Sequence, residues 1–282
     1  MSLASATTEV LPWVKAELNY LAPTSTRPRT YTYDPPAGEA RTTTVNEPHT
    51  VTISDVRPIQ HEVSLDEHGF ELVQHLSAVR DFHNEQEVKA IYYPEAEQIL
   101  KDMTGADRVF IFDNTVRRRV QGAEDRLLLA QPRQPVPRVH VDHTQRSGPQ
   151  RVRDLLPDEA EDLLRGRVQV INLWRPIRGP LLDTPLAVAD AKSVEPGQLV
   201  PSDLIYQDRV GETYSVTFDP GHRWYYVPRM EVHEVLLLKC YDSKTDGRAR
   251  FAPHTAFLDP TTPPNAPPRE SIELRALVFH AA

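Results

Sequence analysis

From residue 168 to the end, short runs of Val, Ile, Leu and aromatic residues recur between turn-forming residues, the pattern expected of β-strands. The runs fall at 168–174, 185–188, 214–218, 232–240, 249–257 and 272–279, with a stiff Pro-rich loop at 260–268 between the last two. Before residue 168 the pattern is more mixed. Tyr31 and Tyr33 alternate in a possible strand, 42–56 is β-branched, and 108–112 reads as a buried strand. Within 63–72, Asp66-Glu67-His68-Gly69 is a turn signal between extended pieces and predicts a hairpin. Helical spacing is confined to a few places. In 81–103, Pro94 fits a first helical turn, Ala96, Ile99, Leu100 and Met103 recur on one face, and Gly105 ends the helix. A second helix is expected over 157–165, with Asp158, Glu159 and Glu161 in its first turn and Arg165 before Gly166. A short helix over 12–21 is expected inside an otherwise irregular arm of residues 1–40.

Six or more strands following the helices point to a mostly β fold with flanking helices, a distorted jelly roll whose two sheets enclose a cavity. Proline outnumbers glycine, 26 to 11, which suits many short elements joined by stiff loops rather than a helix bundle. No internal repeat and no long flexible linker is visible. The expectation is one domain spanning 1–282, with an N-terminal extension of about 40 residues.

Composition narrows the function. A hydrophobic share of 39% with 26% charged residues is that of a globular chain. The net charge of −8 argues against nucleic-acid binding, and the densest basic run, Arg117-Arg118-Arg119, reads as a solvated strand end or loop. Cys240 is the single cysteine, expected as a small buried apolar residue in a reducing compartment. The sequence has no apolar stretch long enough to cross a bilayer and no evident signal peptide, so a cytoplasmic protein without membrane partners is expected. Gly-rich phosphate loops, the Gly-x-Ser-x-Gly elbow and Cys-x-x-Cys pairs are absent from the sequence, which counts against nucleotide, α/β-hydrolase and zinc-ribbon chemistry.

The candidate chemistry centres on Val139-His140-Val141-Asp142. In an extended strand His140 and Asp142 project to one face and the valines to the other. An imidazole and a carboxylate on one face, joined by a second His, form the three-point set that holds non-haem Fe(II). Among 11 histidines, His222, His233, His254 and His280 are candidates for that second His. His254 stands out by position, in the penultimate strand and before Arg269-Glu270-Ser271, which opens the last one. An Fe(II) oxygenase commonly uses 2-oxoglutarate, whose far carboxylate needs a cation. Arg269 and Ser271, at i and i+2, would offer it a guanidinium and a hydroxyl together.

His140-x-Asp142…His254…Arg269-x-Ser271 resembles the His-x-Asp…His…Arg-x-Ser pattern of 2-oxoglutarate/Fe(II) oxygenases. Tyr92-Tyr93-Pro94-Glu95, Thr104-Gly105-Ala106, Asn172-Leu173-Trp174-Arg175-Pro176-Ile177, Asp242-Ser243, Pro253-His254-Thr255-Ala256-Phe257 and Arg269-Glu270-Ser271-Ile272-Glu273-Leu274-Arg275 carry the likeness further. In these the chain resembles the AsaB-type hydroxylase/desaturase family, related to fungal gibberellin desaturase, from about Tyr31 to Phe279.

The resemblance implies a double-stranded β-helix core, similar to the cupins. It implies iron on His140, Asp142 and His254, with 2-oxoglutarate and O2 as cosubstrates. The expected reaction is oxidation of an unactivated C–H bond of a small secondary metabolite, giving hydroxylation, desaturation or a ring closure such as aziridine formation on an amino acid. His254 and Arg269 are 15 residues apart, longer than the roughly ten common in the wider superfamily motif. Arg275 shares the alternating face of Arg269, so either guanidinium is a candidate for the cosubstrate carboxylate. Two other readings keep the fold: a zinc- or manganese-dependent hydrolase or isomerase, and a non-catalytic partner subunit. Trp174 is expected in the core, Arg175 against substrate or cosubstrate, and Tyr92 and Tyr93 in packing. The His83-Asn84-Glu85 triplet reads as a polar turn before a helix, and the N-terminal arm is the segment expected to serve any homodimer contact.

Overall fold

Two β-sheets face each other across a cavity in the computed structural model, which describes residues 12–123 and 132–281. The larger sheet has nine strands. In spatial order they are β1 (Trp13–Leu21), β3 (Asn46–Asp55), β11 (Trp224–Tyr226), β8 (Leu186–Ala189), β13 (His254–Ala256), β6 (His140–Val141), β10 (Val210–Val216), β9 (Leu199–Ile205) and β2 (Arg29–Tyr31). The smaller sheet has five, in the order β4 (Phe70–Gln74), β12 (Glu234–Asp242), β7 (Val168–Pro176), β14 (Glu270–Phe279) and β5 (Arg108–Arg118). Most pairings are antiparallel; β11 on β3 and β2 on β9 are parallel. The two curled sheets make the jelly-roll, or double-stranded β-helix, core expected from the strand order.

The smaller sheet is covered on both faces, which is why β7 and β12 read as near-continuous apolar runs rather than alternating ones. Outside it lies a short helical turn, α1 (Glu85–Glu87), leading through a π-turn into α2 (Tyr93–Thr104). The Asn84 side chain caps α1 by accepting from the backbone N–H groups of Gln86 and Glu87. Ala96, Ile99 and Leu100 of α2 pack on Ile171, Leu173, Ile272 and Leu274. Gly105 ends α2 in the left-handed conformation, φ +67°, and its N–H reaches the Lys101 carbonyl.

The cavity-facing side is apolar at both ends and polar between. At one end Trp174, Leu236 and Leu238 join Leu186 and Val188 of β8. At the other, Val170 and Leu277 join Val141 and Val152, the latter on α3 (Ser147–Leu155), near α4 (Ala160–Leu163). Asn172, Arg275 and Glu273 occupy the interval. Asn172 and Glu273 are buried there and Arg275 is half-buried, and Asn172 Nδ2 and the Arg275 guanidinium find their partners at the site. Asp242 and Ser243 fasten β12 to β7. Asp242 is fully buried and accepts from Lys239 Nζ at 2.9 Å and Arg167 at 2.6 Å, while Ser243 Oγ accepts from the Val168 N–H at 2.9 Å.

Several elements differ from the sequence expectation. Residues 13–21 form strand β1, not a helix, because Val14, Ala16, Leu18 and Tyr20 are buried while Trp13, Lys15 and Glu17 face out, a period of two. That strand and β2 also place much of the expected irregular arm inside the larger sheet. The start of the arm, residues 1–11, lies outside the described residues. The turn at 64–69 forms, with the His68 N–H on the Ser64 carbonyl, but β4 pairs with β12 rather than folding back as a hairpin. Within 249–257 only His254–Ala256 is a strand. Helix α3 escapes the reading because Gly148-Pro149 looks like a breaker. Pro149 instead sits in the first turn, and Gly148 lets the Tyr241 ring come so close that a Cβ there would meet it at 2.5 Å.

Candidate functional site

His140 and His254 are direct cross-strand partners on β6 and β13, and their rings lie 4.5 Å apart. Each ring is oriented by its own strand. His140 Nδ1 is 2.8 Å from the Arg138 carbonyl, and His254 Nδ1 is 3.0 Å from the Ala252 carbonyl. A carbonyl can only accept, so each Nδ1 carries the hydrogen and each Nε2 presents a lone pair. Asp142 follows β6 directly, and its Oδ1 is 3.4 Å from His140 Nε2. The ligand atoms of His140, Asp142 and His254 all lie within 4.8 Å of one another, the one such group among the described residues. Val139 and Val141 anchor this segment in two different apolar clusters.

The second oxygen of Asp142 is held from the opposite sheet. Oδ2 accepts from Asn172 Nδ2 at 2.8 Å and from Arg275 Nε at 3.2 Å. Burial alone would raise the Asp142 pKa. The Arg275 charge and the neighbouring imidazoles outweigh it and hold the carboxyl well below its ordinary range. Burial, helped by His254, pushes the His140 imidazole down to about 4, so it is neutral at neutral pH. An ionised Asp142, a neutral His140 and an Nε2 on each ring left free by its Nδ1–carbonyl bond suit divalent metal binding. The donor set fits Fe(II), and three protein ligands leave coordination positions open for small molecules.

The recess beside these residues is small and is lined by Arg117, Val136, Leu186, Ala256, Arg269, Glu273 and Arg275 as well as the three. Its two candidate carboxylate anchors differ in their partners. Arg275 is engaged on every side: by Asp142, by Asp113 at 2.8 Å, by the Thr115 hydroxyl at 3.1 Å and by Glu273. Burial opposes its charge, but these carboxylates win and raise its pKa. Arg269 is more deeply buried, yet among the described residues its guanidinium pairs with no carboxylate. It donates from Nε to Ser271 Oγ at 3.0 Å and from Nη1 to the Thr184 carbonyl at 3.0 Å, and it lies 4.9 Å over the Trp174 ring. Burial, with Arg117 nearby, pushes its pKa down to about 9. A buried guanidinium lacking a counterion is suited to a ligand carboxylate, which is the shape of a fit for 2-oxoglutarate.

The structure thus gathers His140, Asp142, His254, Arg269 and Arg275 around one cavity, with Ser271 bonded to Arg269. Other candidates lie elsewhere. His222 bonds to Tyr20 and Gln198, and His280 lies at the end of β14 near Gln169. Arg175 is a correction: it points away from the recess, with its guanidinium 5.5 Å from both the Phe82 and Tyr92 rings and bonded to the Val232 carbonyl. Arg117 is another. It is buried and donates to the Gln134 carbonyl at 2.7 Å, not solvated at a strand end. Asn172 and Glu273 were not singled out by sequence. Strand alternation could have found both, since Asn172 shares a face with Trp174, and Glu273 with Ser271 and Arg275.

A family model described as "Oxidoreductase/YMDC permease-like domain" matches residues 18–279. Hydroxylase/desaturase efuI of Hormonema carpetanum is 36% identical over 248 residues, covering 81% of this chain and 83% of that protein. The Fe(II)/2-oxoglutarate-dependent dioxygenase nvfI of Aspergillus novofumigatus is 32% identical over 277 residues, covering 95% of this chain and 97% of that one. A solved structure described as the iron and alpha-ketoglutarate-dependent endoperoxidase NvfI superposes with a TM-score of 0.86 at 29% identity, over 96% of this chain and 99% of that one.

Proposed function

The chain belongs to the AsaB-type hydroxylase/desaturase family of Fe(II)/2-oxoglutarate-dependent oxygenases, and from that premise we propose how its residues divide the work. The enzyme is a dioxygenase that oxidises a C–H bond of a small secondary metabolite. His140, Asp142 and His254 hold the iron. The observation that carries this assignment is the pair of Nδ1–carbonyl bonds, which aim both Nε2 lone pairs at the Asp142 carboxylate. Bound iron, with 2-oxoglutarate and O2, supplies the oxidising power, and the keto acid leaves as succinate and CO2.

The protein's own part is positioning. Asn172 and Arg275 fix the Asp142 carboxylate by its Oδ2 and leave Oδ1 toward the imidazoles. Such partners of ligating carboxylates are commonly worth about 10–100-fold in metal affinity. Arg269, steadied by Ser271 and stacked over Trp174, takes the distal carboxylate of 2-oxoglutarate; Arg275, already matched to three carboxylates, does not. A metal-dependent hydrolase would give Arg269 no such anion to bind. Residues 1–282 act as one domain. Among the described residues no helix is long and apolar enough to cross a membrane. A cytoplasmic site of action, suited to one buried cysteine, and a homodimer contact through the N-terminal segment complete the proposal.

The test is substrate-stimulated turnover. Purified protein with Fe(II), 2-oxoglutarate and O2 is screened against amino acids, terpenoids and polyketides, and one succinate is expected per substrate oxidised. If 2-oxoglutarate and O2 are not consumed above the metal-free control, the proposal is wrong.

A further inference from the structure

Ser271, Glu273 and Arg275 alternate onto one face of β14. Glu273 is buried and lines the recess. It is not one of the three residues of the metal group, and its charge is the wrong one for a carboxylate of 2-oxoglutarate. A carboxylate buried in such a place is unfavourable unless a cation offsets it. That cation is Arg275, whose Nη2 forms an ion pair with Glu273 Oε1.

Arg275 is held at all three nitrogens. Its Nε donates to Asp142 Oδ2 at 3.2 Å, its Nη1 donates to Asp113 Oδ2 at 2.8 Å and to Thr115 Oγ1 at 3.1 Å, and its Nη2 meets Glu273. A guanidinium is planar, so fixing both Nη groups fixes the direction of the Nε–H. The two outer holds are unequal. The Asp113 side chain is 47% exposed and that of Glu273 only 8%, so water competes with the first hold far more than with the second. In register, Asp113 stands opposite Arg275 on β5 and Asn172 opposite it on β7. Glu273, two residues back on β14 itself, supplies the buried hold.

We propose that Glu273 is a positioning residue: it holds Arg275 on Asp142 Oδ2 and so keeps Oδ1, 3.4 Å from His140 Nε2, turned to the metal. This rests on the oxygenase reading above and deepens it. A Glu273 that only balanced charge would attract the metal across space, as one more anion, with or without Arg275. The two roles separate on that point. Positioning vanishes once Arg275 is gone, and direct attraction does not.

Mn(II) alone is titrated into four metal-free proteins, with the free ion followed by electron paramagnetic resonance: wild type, Glu273→Gln, Arg275→Gln and the double variant. Glu273→Gln should weaken Mn(II) binding by about tenfold, the lower end of what the partners of a ligating carboxylate are worth. In the Arg275→Gln background the same substitution should change it by less than about twofold, the non-additivity of residues that act through one contact. Glu273→Asp keeps the charge and shortens the reach, and it carries the test if either Gln variant fails to fold. Positioning predicts weaker Mn(II) binding for it than for wild type, and charge balance predicts no loss. The proposal is overturned if Glu273→Gln lowers only the melting temperature and binds Mn(II) as wild type does. It is also overturned if the loss is the same with and without Arg275, or if Glu273→Asp binds like wild type. If wild type itself binds no Mn(II), the metal-site reading falls first and this inference with it.

Discussion

Asp142→Ala loses Fe(II) binding by more than about a hundredfold and forms no succinate above background. The magnitude follows from the geometry. Outer partners of a metal ligand alone are worth about 10–100-fold, and this substitution removes the ligand itself. It also releases Asn172 and Arg275 from the oxygen they share. Asp142→Asn keeps the shape and removes the charge, so it separates folding from ligation: it should melt close to wild type yet bind iron no better than the Ala variant. Iron content after anaerobic reconstitution, measured beside the melting temperature, checks both. A variant that retains one iron per chain and the wild-type succinate rate would remove Asp142 from the site.

The second large effect separates the two arginines of β14. Arg269→Ala should raise the KM for 2-oxoglutarate by about thirtyfold or more, the lower end of what truncating one partner of a buried charge pair costs. It should cost little stability, because Arg269 has no carboxylate to leave behind among the described residues. Arg275→Ala should do the reverse. It strands Glu273 and Asp142 as buried carboxylates, a loss of about 3–5 kcal/mol when a buried pair is broken, and affects turnover through Asp142 more than through KM. Steady-state succinate formation at varied 2-oxoglutarate, with denaturant unfolding of both variants, reads the contrast. If Arg275→Ala alone shifted the KM, the carboxylate-binding role would pass to it.

The site was legible in the sequence to the extent that strand alternation carries information. His140 and Asp142 two apart, and Arg269, Ser271 and Arg275 at even spacing, are same-face patterns that survive folding. The choice between Arg269 and Arg275 was not legible, because it depends on which carboxylates approach from β5 and β6. Asp113 and Asp142 are 162 and 133 residues away in sequence. Asn172 was hidden in an apolar run, where a single amide looks incidental until its partner across the cavity is known. Arg117 looked solvated because charge runs usually are; the Gln134 carbonyl that it meets comes from a loop no local pattern connects to β5. Strand β1 was missed for a simpler reason. Its alternation is clear, but Lys15, Glu17 and the intervening Ala16 and Leu18 also suit a helix, and only pairing with β3 over nine residues decides.

The most direct test of the account is a crystal structure grown under nitrogen with Fe(II) and 2-oxoglutarate, with the metal located by anomalous scattering. The account predicts one iron about 2 Å from His140 Nε2, His254 Nε2 and an Asp142 carboxylate oxygen, as imidazole and carboxylate ligands require. It also predicts the distal carboxylate of 2-oxoglutarate on the Arg269 guanidinium and the Ser271 hydroxyl. An iron bound elsewhere, or at this site without His254, would contradict it.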